Sequence, residues 1–343
     1  MEIIIIGAGK AGYLHLNSYL KIIKNNKINK ININKIYIFD PQKNNYINTN
    51  LLDNKKIDII EFYSNFKDLL YKVSPNSIVD ICVPAPIIED IMDNIISFGF
   101  TKLIVEKPCI VESNKLKNIF SKIQLFIIEN YLYSQVTKEG MLYLKNKASL
   151  PDNVTIEFSK NRLTDSLNKR GFYNGKAPLV WQLEFPHMIY LCNYLFGNLG
   201  KITFSSSSDL IINNQILKNH NSGTVHFSNL KTIFKLVSNL SYPQKKRFLK
   251  IDYSDKTSII FNYSNPNSNE YGFTELNNYG EVIYQKRIEN DDMMYTMLLD
   301  YLIKLNTNEK INNDRLKRYL NTGIKLKQII GKEMWECEKT ICY

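Results

Sequence analysis

The chain has 343 residues, 44% of them hydrophobic, and a formal net charge of +11. This length and composition predict a globular protein with a sizeable core and two domains rather than one. No apolar run approaches the ~18 to 20 residues of a membrane span, and only six of the 44 basic residues are arginine. We therefore expect neither a membrane nor a nucleic acid as a partner, and the positive charge favours attraction of an anionic small molecule.

The cysteines and the first residues bear on the cellular compartment. The five cysteines are scattered and show no spacing typical of a metal site; they are Cys82, Cys109, Cys192, Cys337 and Cys342. We expect reduced thiols and no bound metal. The opening apolar run ends at Gly7, short of the ~7 to 15 apolar residues of a signal peptide. The sequence therefore predicts a cytoplasmic protein.

The N-terminal part alternates short apolar runs with helical patterns. The predicted strands are 2–6, 35–39, 57–62, 77–83, 102–105 and 124–128, and the predicted helices are 11–23, 66–73, 87–98 and 114–123. This alternation is typical of an α/β domain with a parallel sheet and helices on both faces. The polar segment 24–35, "KNNKINKININK", predicts an enlarged surface loop between the first helix and the second strand.

The pattern of apolar and polar residues changes from about Val154 onward. The β-rich segments are 154–160, 201–207, 224–230, 232–240, 247–254 and 257–264, separated by Ser, Asn and Gly. They predict a mainly antiparallel sheet. Helical patterns return at 291–305 and 314–330.

The stretch "IIIIGAGKAGYLH" contains the pattern G-x-G-x-x-G between a predicted strand and a predicted helix. Gly7 permits a tight turn, Gly9 lets the backbone approach a pyrophosphate, and Gly12 lets helix and strand pack closely. The helix start, with Lys10 and Ala11, offers N–H donors and a positive dipole. We expect a dinucleotide here; a glycine-rich turn without a ligand is the alternative.

The second predicted strand ends at Asp40. A carboxylate at this position can accept both ribose hydroxyls of NAD and repels the 2′-phosphate of NADP. NAD is therefore the expected cofactor, although Lys43 could pair with a 2′-phosphate and leaves NADP open. The alternative for Asp40 is a solvated turn residue.

Two strand ends carry further candidates. The fourth strand runs into Val83 and Pro84, and the fifth runs into "EKP", Glu106 to Pro108. Open α/β sheets bind ligands at the carboxyl ends of their strands. Val83, Pro84, Glu106 and Lys107 are therefore predicted to border the cofactor.

"GAGKAGYLH", "DICVP" and "VEKP", in this order, resemble the glucose-fructose oxidoreductase, inositol dehydrogenase and rhizopine catabolism (Gfo/Idh/MocA) family of NAD(P)-dependent oxidoreductases. The resemblance implies an N-terminal Rossmann dinucleotide-binding domain over residues 1–129. It also implies a C-terminal α+β domain over 130–343, with a large open, mainly antiparallel sheet that serves substrate binding and oligomerisation. The last helices are expected to pack back on the first domain.

The resemblance assigns a catalytic role to Lys107, because the lysine of the family's E-K-P motif contacts the cofactor and the reacting substrate group. An ammonium in a partly desolvated cleft can have its pKa lowered toward about 7 to 8 and then exchange a proton with a hydroxyl. Glu106 is expected to orient neighbouring side chains or to lie on the side of the cofactor, and not to act as the base. The alternative for Lys107 is an end-of-strand lysine that reaches water.

The family's second catalytic element is a histidine at a helix start, preceded four residues earlier by an aspartate. His187 in "PLVWQLEFPHMIYLCNYLFG" matches the histidine, whereas the aspartate position holds Leu183. Glu184 is the substitute candidate, as an orienting partner or base. Pro186 would begin the helix and place His187 in its first turn, which favours a neutral imidazole. A packed, hydrogen-bonded histidine is the alternative.

Substrate contacts are predicted for Tyr131, which the resemblance places on a strand leading into the second domain, and for the basic loop 161–178. In that loop Arg162 and Arg170 could clamp a carboxylate or phosphate, because guanidinium groups match those anions. A solvated connector is the alternative for this loop.

The sequence thus predicts an NAD(P)-dependent oxidoreductase that transfers hydride to or from a sugar, sugar derivative or cyclitol. We expect Lys107 and His187 to converge beside the nicotinamide. An imine reductase and a non-catalytic NAD-binding regulator are the alternatives, because Leu183 departs from the family pattern. As in relatives, a homodimer or homotetramer is expected.

Overall fold

The structure is a computed structural model that describes residues 1–25, 30–41, 58–147, 149–161, 179–212, 215–229, 231–263, 272–307, 309 and 312–331. The chain divides into two compact units. Within the described residues, unit 1 comprises 1–128 and 294–324, and unit 2 comprises 129–293 and 325–331.

Unit 1 contains a six-stranded parallel sheet. Its strands are β1 (Glu2–Ile6), β2 (Lys35–Phe39), β3 (Ile60–Tyr63), β4 (Ile78–Ile81), β5 (Lys102–Val105) and β6 (Gln124–Ile127). The helices that connect them are α1 (Lys10–Lys24), α2 (Phe66–Lys72), α3 (Ala85–Ser97) and α4 (Ser113–Lys122). The strand order is β3-β2-β1-β4-β5-β6, which places the reversal of strand order between β1 and β4. A dinucleotide-binding crevice belongs at such a reversal.

The centre of this sheet is fully buried. Ile3 to Ile6 of β1 are at most 1% exposed, as are Leu103 to Val105 of β5. Strands buried on both faces read as continuous apolar runs, which explains why β1, β2 and β5 have the bounds that the sequence predicts.

Two late helices contribute to unit 1: α8 (Met293–Asn306) and most of α9 (Asn313–Ile330). Their tyrosines satisfy the backbone of the edge strand β6. The hydroxyl of Tyr301 donates to the carbonyl of Ile127 at 2.7 Å, and the hydroxyl of Tyr319 accepts from its amide at 3.0 Å. These bonds cover an edge that would otherwise expose unpaired groups.

Unit 2 contains an eight-stranded, mainly antiparallel sheet. Its strands are β7 (Asn153–Asn161), β8 (Lys201–Ile212), β9 (Gln215–Ser228), β10 (Ile233–Asn239), β11 (Ser241–Asp252), β12 (Ser258–Asn262), β13 (Gly272–Leu276) and β14 (Val282–Arg287). The order is β14-β13-β12-β11-β7-β10-β9-β8, and within it only the pair β7–β10 is parallel. The predicted fold class is confirmed: a Rossmann-like parallel sheet and a second, mainly antiparallel sheet.

The helical elements of unit 2 are a 3-10 helix (Asn130–Tyr133), α5 (Gln135–Leu144), α6 (Val180–Leu183) and α7 (Phe185–Phe196). Tyr131 therefore lies on a 3-10 turn and not on the strand expected from the resemblance. The reason is local: Ser134 donates its amide to the carbonyl of Tyr131 and accepts, through its hydroxyl, the amide of Val136 at the start of α5. Among the described residues, no helix has the length and apolar character needed to cross a membrane.

Candidate functional site

The glycine turn between β1 and α1 has the backbone of a nucleotide-binding loop. Gly7 has a φ of 96°, and a Cβ atom there would lie 2.7 Å from the carbonyl oxygen of Cys82. A Cβ on Gly12 would collide with the carbonyl oxygen of Gly7. A Cβ on Gly9, by contrast, would meet no atom within 4 Å. The first and third glycines are thus required by the fold, whereas Gly9 leaves open space for a ligand.

The start of α1 can receive an anion. Gly9 is its N-cap and supplies no side-chain hydrogen bond, and the first turn, with Lys10 and Ala11, contains no acidic residue. The first N–H groups of a helix lack intrahelical acceptors and carry the positive end of its dipole. A diphosphate group fits this end of α1.

Asp40 lies beside the same turn. Its Oδ2 accepts the backbone N–H of Ala8 at 2.7 Å, a bond that holds the carboxylate next to the loop. The residue is half-buried and directly follows β2. This is the placement needed to receive ribose hydroxyls. Lys43 lies outside the described residues.

The three glycines allow a test that separates the fold from cofactor binding. Gly9→Ala should retain wild-type stability, because the new methyl group occupies open space and φ at this residue is −66°. It should weaken NADH binding by roughly tenfold, or about 1.4 kcal/mol. Gly12→Ala should instead lower the melting temperature. Fluorescence titration with NADH and thermal unfolding would measure the two effects, and unchanged NADH affinity in Gly9→Ala would contradict the assignment.

The carboxyl ends of β4 and β5 border the turn. A γ-methyl carbon of Val83 lies 3.3 Å from the position of a Cβ on Gly7. Pro84 caps the N-terminus of α3, and the amide of Glu106 donates to the carbonyl of Ile81 at 2.9 Å. The predicted cofactor-side residues of these two strands therefore share one edge of the sheet with the glycine turn.

A buried polar cluster lies behind this edge. His15 of α1 contacts Asp80 through Nδ1 at 2.8 Å and approaches Glu106 through Nε2 at 3.3 Å. Tyr19 donates to Asp80 at 2.6 Å, and the Cys82 sulfur lies 3.3 Å from the His15 Nδ1. The side-chain donors of His15, Asp80 and Cys82 are close enough together to hold a metal ion, but they already bond directly to one another.

Contacts within this cluster and its burial shift the pKa values of His15, Glu106 and Cys82. Burial opposes a proton on His15, yet the coulombic attraction of Asp80 prevails and raises its pKa well above the ordinary value. Burial likewise opposes ionisation of Glu106, but His15 and then Lys107 lower its pKa. Burial raises the pKa of the Cys82 thiol. An imidazolium therefore lies between two carboxylates, and the thiol beside it stays neutral.

The E-K-P motif begins where β5 ends. The amide of Lys107 donates to Oε2 of Glu106 at 2.9 Å, and the peptide bond from Lys107 to Pro108 is cis. Lys107 itself is half-buried. A chain of contacts thus runs from His15 through the carboxylate of Glu106 to the backbone of Lys107, so that Glu106 holds the turn that carries the lysine.

Unit 2 holds the second group of candidates. His187 lies in the first turn of α7, which begins at Phe185 with Pro186 second. Its ring contacts that of Tyr131 edge-on, with centroids 5.1 Å apart. Burial above all raises the pKa of Tyr131 to about 12, so its phenol stays protonated beside the imidazole.

Glu184, which precedes α7, is only 4% exposed. Its Oε1 lies 2.9 Å from Nη2 of Arg247 and 3.0 Å from Nζ of Lys160. The carboxylate is therefore a counter-ion to two cations, an arrangement that suits an orienting role better than that of a base. No spacing in the sequence points to Arg247, because β11 is distant along the chain.

The structure brings together Gly7, Gly9, Gly12, Asp40, Val83 and Glu106 in unit 1, and Tyr131 with His187 in unit 2. Arg162 and Arg170 lie outside the described residues. The predicted convergence of Lys107 with His187 stays a prediction.

Comparisons with known proteins identify solved structures of the same fold. UDP-N-acetylglucosamine 3-dehydrogenase GnnA from Acidithiobacillus ferrooxidans is 13% identical with a TM-score of 0.66, covering 98% of this chain and 99% of that one. KijD10, a 3-ketoreductase from Actinomadura kijaniata in complex with NADP and TDP-benzene, is 9% identical with a TM-score of 0.74, covering 96% of each chain. No model of a protein family matches the chain, and no curated protein matches it in sequence. The likeness to these oxidoreductases shows the fold.

Proposed function

We propose that the chain is an NAD(P)-dependent oxidoreductase of the glucose-fructose oxidoreductase, inositol dehydrogenase and rhizopine catabolism family. Its reaction transfers hydride to or from a carbon that bears oxygen, on a sugar, a sugar derivative or a cyclitol. The observation that carries this proposal is the open backbone at Gly9, at the start of α1 and beside the carboxylate of Asp40. The similar structures support it, since they include a sugar-nucleotide dehydrogenase and a ketoreductase.

The residues of this chain would have the following roles in cofactor binding and proton transfer. The amides at the start of α1 hold the diphosphate, and Asp40 holds the adenosine ribose. Lys107 contacts the reacting oxygen and exchanges its proton, and His187 takes part in the same proton transfer. A bound nicotinamide supplies the hydride chemistry. In the reverse direction the same groups protonate the oxygen of a ketone.

A substrate screen tests the proposal. The purified chain would be mixed with NAD⁺ or NADP⁺ and a panel of polyols, amino sugars and nucleotide sugars, and absorbance would be followed at the nicotinamide band. Reproducible reduction of the cofactor by one class of compound is the expected result. Tight cofactor binding without turnover on any compound, in either direction, would refute the catalytic assignment.

Asp40 should decide between the two cofactors. Asp40→Asn retains an oxygen that can accept the amide of Ala8, but it removes the negative charge that repels a 2′-phosphate. We expect the ratio of kcat/KM with NADPH to kcat/KM with NADH to rise by roughly tenfold, about 1.4 kcal/mol. Asp68→Asn, at an exposed position of α2, is the matched control. An unaltered ratio in Asp40→Asn would contradict the ribose contact.

A cofactor-binding regulator is the second candidate function. Leu183 occupies the position of the family's aspartate, and the neighbouring Glu184 is engaged by Arg247 and Lys160. A chain that binds the cofactor and has lost the second acid would bind NAD(H) without turnover.

A further inference from the structure

The guanidinium of Arg247, on β11, has more donors than acceptors around it. The side chain is 4% exposed, and its Nη2 lies 2.9 Å from Oε1 of Glu184. Within the described part of the chain, Nε and Nη1 have no hydrogen-bond partner. A guanidinium has five N–H donors, so the single one on Nε and both on Nη1 are buried and unsatisfied. Native proteins rarely leave such groups unpaired unless a ligand or water completes them.

Two lysines lie near the ion pair of this guanidinium with Glu184. Lys160 lies 3.0 Å from the carboxylate of Glu184 that Arg247 also contacts. Lys245 lies two residues before Arg247 on the same strand. Its pKa is lowered to about 8, first by burial and then by the charges of Arg247 and Lys160, against the opposing attraction of Glu184. Among the described residues, three cationic side chains thus interact with the carboxylate of Glu184.

The cluster adjoins the predicted catalytic histidine of the same unit. Arg247 lies over the ring of Phe158, with 4.8 Å to its centroid. The ring of Tyr131 packs against Phe158 at 4.5 Å and against His187 at 5.1 Å. Lys160 is 24% exposed and Lys245 is half-buried, so both lysines are partly accessible, whereas Arg247 is buried.

We propose that Arg247, with Lys245 and Lys160, forms a binding site for an oxyanion, a carboxylate or a phosphoryl group, carried by the substrate. This rests on the proposed function only in naming the ligand a substrate. An oxyanion presents several acceptors to the unsatisfied donors of Arg247 and forms charge-assisted hydrogen bonds with them, which a neutral hydroxyl does not. The expected substrate is then an acidic or phosphorylated sugar derivative.

Thermal unfolding of the whole chain tests the site without any turnover. Sodium sulfate and sodium acetate, each compared with sodium chloride at equal ionic strength, represent the phosphoryl and carboxylate sources. The variants are Arg247→Lys, which keeps a cation opposite Glu184, and Lys245→Gln. Lys250→Gln is the control, because Lys250 lies on the same strand and pairs with Asp252. The wild type and Lys250→Gln should gain about 2 °C more from the anion than the two site variants.

The outcomes are distinguishable. A response to sulfate alone indicates a phosphoryl group, and a response to acetate alone indicates a carboxylate. If all four proteins respond alike, the anions act only as general salts and the site is refuted; no response to either anion refutes it as well. Failure of the cofactor-reduction screen would leave this result unchanged, so the two proposals fail separately.

The gain in melting temperature from sulfate should also depend on pH. The charged form of Lys245 predominates below about 8, so the gain from sulfate should fall as the pH rises from 7 to 9. Burial opposes the charge of Arg247, but the attraction of Glu184 raises its pKa, so Arg247 stays charged over this range. Burial chiefly raises the pKa of Tyr131 to about 12, so its phenol stays neutral. In Lys245→Gln the fall should disappear. A gain that grows with pH in the wild type would contradict the role of Lys245.

Discussion

Replacement of Lys107 by alanine should lower kcat by about 10²- to 10⁴-fold, the usual contribution of a positioned proton-transfer group. NADH binding should change little, because the glycine turn, Asp40 and the backbone amide of residue 107 remain in place. The amide would still donate to Glu106, so the turn at the end of β5 keeps its anchor. Steady-state kinetics on the substrate found by the screen, with NADH titration of the same preparation, would separate the two quantities.

Lys102→Ala provides the matched control, since Lys102 begins the same strand at the opposite edge of the sheet. It should retain wild-type kcat. Undiminished turnover in Lys107→Ala would remove the catalytic assignment, and loss of NADH binding would assign the lysine to the cofactor and not to the reaction.

Replacement of His15 by glutamine should lower the free energy of unfolding by about 3 kcal/mol, because it leaves the buried carboxylate of Asp80 without its cation. Urea unfolding at pH 6 would measure this loss.

The effect of His15 should depend on pH in a defined direction. Burial acts to lower the pKa of His15 in the folded chain, but the attraction of Asp80, aided by Cys82, outweighs it, and the pKa is raised well above its ordinary value. The folded state therefore keeps a proton that the unfolded state releases above about pH 6.5. Stability from this group is complete below that pH and is lost as the pH rises through the folded-state pKa, by up to about 1.4 kcal/mol per pH unit. His15→Gln should flatten this decline.

His226→Gln is the contrasting control. Burial, and next Lys235, lower the pKa of His226, so its contribution declines on acidification and leaves the alkaline side unaffected. If the alkaline decline persisted unchanged in His15→Gln, some other group would be its source.

The bounds of a strand could be predicted best from the sequence where the strand is buried on both faces. β1, β2 and β5 are apolar runs that end at a glycine, an aspartate and a glutamate, and their bounds could be predicted. Strand β14 could not be predicted. It is an edge strand in which Val282 and Ile283 are more than half exposed, so no buried face requires apolar and polar residues to alternate. Helix α5 was missed because Gly140 weakens its pattern; a Cβ at Gly140 would strike the ring of Phe261, so packing requires the glycine.

In the candidate site, too, some features could be predicted from the sequence and others could not. The glycine turn and the E-K-P motif are local patterns, and their chemistry follows from neighbouring residues. The pairs His15 with Asp80 and Glu184 with Arg247 join residues distant along the chain. Only the register of strands and helices brings them together, so no spacing rule could reveal them.

The long connection from α1 to β2 begins at Lys24 and ends at Lys35. It enters the sheet at the amino end of β2, where the N-terminal ammonium group donates to the carbonyl of Asn32 at 2.7 Å. The glycine turn and Asp40 lie at the other end of the same strands. Ile31 and Ile33 of the connection are buried, whereas Lys24 and Asn25 are exposed. Peptide tags or fluorescent labels inserted after Asn25 should therefore leave nucleotide affinity intact, which makes this position suitable for immobilising the protein.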